Sequence, residues 1–105
     1  MVARVQLPAA AKRGEVIEVR ISIQHPMETG FRFDAGGSAV PKNVIHQLVC
    51  RYNGAEVFRA EMGSGMAANP YVQFTVVARA SGNFDFEWID DAGVRDTHQA
   101  TLSVT

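Results

Sequence analysis

The stretch Val16-Ile-Glu-Val-Arg-Ile-Ser-Ile23 carries Ile17, Val19, Ile21 and Ile23 on one parity and Glu18, Arg20 and Ser22 on the other. A period of two is the geometry of a β-strand that buries one face and wets the other. The same rhythm recurs outward from this segment. Residues 43–52 and 55–61 flank Asn53-Gly54, the dipeptide best suited to the positive φ angles of a two-residue type I′ turn, and predict a hairpin. Val72, Phe74, Val76 and Ala78 share one parity, as do Phe84, Phe86 and Trp88 beyond the Ser81-Gly82 break. After the Asp91-Ala92-Gly93 turn, Ala100, Leu102 and Val104 alternate with Gln99, Thr101 and Ser103.

With a first strand around residues 4–7, the pattern predicts an all-β fold of about seven short antiparallel strands. An immunoglobulin-like β-sandwich is the architecture expected, with a barrel as the alternative. The 105 residues suffice for one core and are too few for two, so a single domain over residues 1–105 is expected. Trp88, at the end of the Phe84, Phe86, Trp88 row, is read as a plug of that core.

Composition narrows the function classes. Hydrophobic residues are 47% and charged residues 20% of the chain, which suits a globular protein rather than a disordered one. The net charge is −1 with the two signs interspersed, and Lys12-Arg13 is the nearest approach to a basic cluster, so nucleic-acid binding is not expected. No stretch approaches the roughly 18 consecutive apolar residues that span a bilayer, and no membrane role is expected. The first residues lack the charged-then-apolar order of a secretory signal, and Cys50 alone makes an intrachain disulfide impossible. By themselves these features place the chain in the cytoplasm.

Candidate chemistry is sparse. A cysteine enzyme would pair Cys50 with a base among His25, His46 and His98. Cys50 sits mid-strand on the parity of Leu48 and Tyr52, where an inert buried thiol is expected. His46 lies on the same parity but about 13 Å away at ~3.3 Å per residue, too far for a dyad or a shared metal. One cysteine and three scattered histidines offer no zinc spacing, Asp90-Asp91 lacks the alternating oxygens of a calcium loop, and Gly36-Gly37 and Gly63-Ser-Gly65 are not phosphate cradles. No cofactor and no catalytic residues are expected.

Binding is the remaining class. Alternate connections of an antiparallel sandwich fall at the same end, which groups residues 24–42, 62–70 and 90–96. Residues 24–42 exceed the roughly 12 to 15 residues at which structureless loops become uncommon and usually functional. His25-Pro26 opens that loop and serves either recognition or loop geometry, and Met27, Met62 and Met66 read equally as soft, adaptable docking contacts or as core padding at the loop bases. His25, Met27, Glu28, Met66, Asn69 and Tyr71 are therefore the candidate docking residues.

The fragments His25-Pro-Met-Glu-Thr-Gly30, Pro41-Lys-Asn-Val-Ile45, Tyr52-Asn-Gly-Ala-Glu-Val-Phe58, Ala68-Asn-Pro-Tyr71 and Trp88-Ile-Asp-Asp-Ala-Gly93, in this order and spacing, resemble the SoxZ family. The likeness runs from about Arg4 to the carboxyl terminus. It implies an immunoglobulin-like subunit of the SoxYZ carrier complex of bacterial thiosulfate oxidation, with SoxY as partner and transient docking to other sulfur-oxidation enzymes. In that family the partner carries the substrate on a cysteine of its glycine-rich arm. Residues 100–105 here show strand alternation and no Gly-Gly-Cys arm, so a scaffold role is implied and Cys50 is not the carrier thiol. The resemblance also replaces the cytoplasm with the periplasm, reached by export with a signal-bearing partner. Two alternatives from other classes are a Cys50-dependent enzyme and a generic immunoglobulin-like binding module.

Overall fold

Alternation becomes pairing in the computed structural model, which describes residues 2–63 and 65–105. Ser64, inside the 62–70 loop considered above, lies outside the described residues. Among the described residues eight strands form, β1 (Ala3–Gln6), β2 (Ala10–Ala11), β3 (Val16–Ile23), β4 (Ile45–Tyr52), β5 (Ala55–Glu61), β6 (Tyr71–Val77), β7 (Gly82–Asp90) and β8 (Arg95–Val104). They make two sheets, one ordered β1-β3-β6 and the other β2-β8-β7-β4-β5. This is the all-β sandwich that the alternation predicts, with one strand more than the seven expected. The addition is β2, two residues long, which pairs with β8 in parallel at Ala10↔Ser103 and Ala11↔Val104.

The inward parities meet between the sheets. Ile17, Val19, Ile21 and Ile23 face Leu48, Cys50, Phe84, Phe86 and Trp88 in one buried cluster. Two aromatic stacks add directional contacts, Tyr52 on Phe84 at 4.4 Å and Phe58 on Phe74 at 4.3 Å between ring centroids. The second stack joins β5 to β6 and so clamps the two sheets along one side. Asn53 and Gly54 take φ values of 49° and 85°, as the tight β4–β5 turn requires. At that end of the molecule the Tyr52 hydroxyl accepts from the N–H groups of Arg79 and Ala80 and donates to the Ala80 carbonyl, which ties the β6–β7 connection to β4.

One parity expectation fails locally. The β4–β7 register shifts between Ile45 and Gln47, so Ile45 and Leu48, three residues apart, both enter the core. Such a bulge inserts an unpaired residue and flips the alternation. His46 therefore does not share the face of Cys50; it turns out toward Asp91, at 3.2 Å, while Cys50 is fully buried.

Candidate functional site

The three connections grouped by strand parity are hydrogen-bonded to one another at one end of the sandwich. His25 donates its backbone N–H to Asn69 Oδ1 at 3.1 Å and accepts from the Asn69 N–H at 2.8 Å, joining the first loop to the second. The His25 ring joins the first loop to the third, with Nε2 3.1 Å from Asp90 Oδ2. Asp91 Oδ2 accepts from the Val44 N–H at 3.1 Å, and the Ala92 N–H donates to Asn43 Oδ1 at 3.2 Å.

His25 and Asp90 form the buried polar centre of this end, both 3% exposed. The His25 Nδ1 accepts from the Met27 N–H at 3.0 Å, so the ring proton sits on Nε2 and donates to the Asp90 carboxylate. Asp90 Oδ1 in turn accepts from the Val94 N–H at 2.9 Å. Burial pushes the Asp90 carboxyl up, but the Val94 N–H and the His25 ring outweigh it and hold the group below the ordinary carboxylate value. Every polar atom of the imidazole is occupied by structure, so His25 is a brace for the loop rather than a contact for a partner.

Met27 is likewise a core residue at 4% exposure, its Sδ accepting from the Ile45 N–H at 3.3 Å. Its φ of 52° is unusual for a long side chain, and the His25 and Ile45 contacts hold it there. Neither His25 nor Met27 can meet a partner without opening the core. Glu28 is turned along its own loop, where Arg32 binds it through Nε and Nη2 at distances of 2.6 to 3.2 Å. Met66 is half-buried against the core, and Asn69, at φ 55°, spends its side-chain oxygen on His25. Tyr71 is exposed, with its hydroxyl donating to Gln73 Oε1 at 3.1 Å; it belongs to β6 rather than to the loops.

What stands open at this end is a pair of residues the sequence reading passed over. Phe31 is 86% and Phe33 67% exposed, both inside the long loop. That loop is not structureless. Glu28 and Asn43 exchange backbone hydrogen bonds at 2.8 and 2.9 Å, and the Val40 N–H donates to the Arg32 carbonyl at 2.8 Å. The Asp34 N–H donates to the Ser38 carbonyl at 2.9 Å, closing a finger over residues 28–43. Asp34 Oδ1 shapes the tip by accepting from the N–H groups of Gly36 and Ser38. Every residue from 31 to 39 is exposed, as expected of an element that projects from the body. The spacing Phe31-Arg32-Phe33 in a segment rich in glycine is the signal that could have revealed it.

Cys50 is fully buried, and burial pushes its thiol up to about 12. Since the thiolate is the nucleophile, such a group is inert at neutral pH. Cys50 is expected to resist alkylation by iodoacetamide in the native protein and to react fully in denaturant. Rapid stoichiometric labelling of folded protein, read by intact mass, would contradict this. Among the described residues no group of three or more His, Cys, Asp or Glu side chains is placed to hold a metal ion, and no helix is long and apolar enough to cross a membrane.

Solved structures identify the class of fold. A superoxide reductase (neelaredoxin) from Ignicoccus hospitalis superposes with a TM-score of 0.74 at 19% identity, over 100% of this chain and 81% of that one. A putative superoxide reductase from Thermotoga maritima gives 0.74 at 15% identity, over 98% of this chain and 85% of that one. The sulfur carrier protein SoxY from Chlorobium limicola f thiosulfatophilum gives 0.67 at 11% identity, over 98% and 78% respectively. At these identities the likeness establishes a shared β-sandwich and nothing of activity. No curated protein matches the sequence. Residues 4–101 match the family described as "Sulphur oxidation protein SoxZ", and the chain belongs to that family.

Proposed function

We propose that this chain is the non-catalytic subunit of a sulfur-carrier complex, which binds SoxY and helps present that partner's sulfur-loaded cysteine arm to the enzymes of thiosulfate oxidation. The family match over residues 4–101 carries this reading. The state of Cys50 supports it, because a thiol at 0% exposure and held protonated can neither accept nor hand on sulfur. A carrier thiol must then come from another chain. The periplasm, reached together with a signal-bearing partner, is the compartment that follows from this assignment.

Co-expression with a SoxY-type protein from the same genome is the direct test. The two chains are expected to elute together in size exclusion, and after incubation with thiosulfate and the pathway enzymes the added mass should sit on the partner. Separate elution, or sulfur mass on Cys50, would sink the proposal.

A further inference from the structure

The finger over residues 28–43 keeps two large apolar side chains mostly in water, outside the buried core. Phe31 and Phe33, at alternate positions of an extended arm, fall on one side of it, and Arg32 between them is turned back to Glu28. Exposed apolar surface of this kind marks interaction sites, and aromatic anchors dominate binding energy. Backbone hydrogen bonds at base, middle and tip hold the finger in shape before any partner arrives, which reduces the ordering cost of binding.

The occupant follows from area, charge and shape. Buried aromatic side chains contribute about 150–250 Å² each, so the two together offer on the order of 300–500 Å². A stable interface needs about 800 Å² from each partner. The two rings by themselves are thus too small to make the permanent seam of a heterodimer or homodimer and have the size of a short-lived contact. The charges of the finger balance, with Glu28 and Asp34 against Arg32 and Lys42. Each acid is spent on its own element, Glu28 on Arg32 and Asp34 on the turn, and Lys42 lies 3.8 Å from Asp91. Recognition is then by apolar fit rather than by charge, and a convex tip demands a concave, apolar-lined partner, as at the mouth of an enzyme site.

We propose that Phe31 and Phe33 form a transient docking tip that enters a concave apolar site on an enzyme acting on the carrier complex. This rests on the carrier reading above. The test uses the co-purified heterodimer as protein substrate for the pathway enzymes in thiosulfate-dependent turnover. The double variant Phe31→Ser, Phe33→Ser should leave the heterodimer and its melting temperature unchanged, raise KM for the heterodimer at least tenfold and change kcat little. Phe31→Leu, Phe33→Leu, which keeps apolar bulk, should recover part of the affinity. An unchanged KM overturns the proposal, as does loss of the heterodimer, which would make the finger the subunit seam. A wild-type chain that self-associates through these residues, with the double variant monomeric, overturns it too. Failure of the wild-type chain to form the heterodimer would instead sink the carrier reading, and this inference with it.

Discussion

Replacing Trp88 with alanine is expected to destabilise the protein by about 3–5 kcal/mol, the range for removing a buried indole and leaving its cavity. Trp88 is 1% exposed in β7, paired across the sheet with Leu48 of β4 and Asp96 of β8. The core is a single cluster, so the loss falls on both sheets. Against a total stability of roughly 5–15 kcal/mol, this is a large share. For a chain of this length each kcal/mol moves the melting temperature by about 4–8 °C, so a drop of about 12 °C or more should be seen by circular dichroism. Trp88→Phe should cost less, since it keeps a ring in place and gives up an indole N–H that no protein group accepts among the described residues. A melting temperature for Trp88→Ala within a few degrees of wild type would show that the sheets close without this plug.

Removing the ring of His25 should have an effect of similar size, about 3 kcal/mol or more, because breaking a buried pair leaves its partner uncompensated. His25→Ala strips Asp90 of the Nε2 donor and the Met27 N–H of its acceptor in one step. The pair also makes a prediction in pH. The folded Asp90 carboxyl lies below its ordinary value of 3.8. A depressed carboxylate contributes stability that is fully present above the ordinary value and is lost as pH falls through the folded one. Asp91 is depressed likewise, first by the Val44 N–H and further by Lys42 and His46, and Glu28, Glu56 and Asp96 also lie below their ordinary values, so Asp90 carries only part of the acid loss. Urea midpoints measured from pH 6 down to pH 3 should fall for the wild-type protein, with a shallower fall in Asp90→Ala from a lower starting point. Identical slopes in the two proteins would remove Asp90 from the account.

Much of this architecture was legible because its signals are local. Strand β3 and the β4–β5 hairpin follow from alternation and from Asn53-Gly54, and both need only neighbouring residues to specify them. Parity of the connections also brought residues 24–42, 62–70 and 90–96 to one end. Features set by distant partners were not legible. Whether His25 is a recognition residue or a brace depends on Asp90, 65 positions away, and nothing in His25-Pro26 encodes burial. Met27 reads equally as a docking contact and as core padding until its burial and the Ile45 N–H on its sulfur decide for the core. The bulge in β4 is set by packing and pairing with β7, so the single parity that puts His46 on the face of Cys50 carries no local warning. Phe31 and Phe33 are illegible for the opposite reason, since an aromatic pair in sequence looks the same whether it enters the core or stands in water.

The two-residue strand β2 has a consequence in time. Residues 9–13 are clasped by residues 103–105, through Ser103 N–H to Ala9, Thr105 N–H to Ala11 and Arg13 N–H to Thr105. A ribosome emits the first of these segments well before the second, so the clasp closes only after the whole stretch between them has been made. Contacts so remote along the chain are slow to find. Until then the rim of β8 stays unpaired over its final residues and open to strands from other molecules. Dilution or an early-arriving partner would matter most in that interval, before the earlier segment has met the later one.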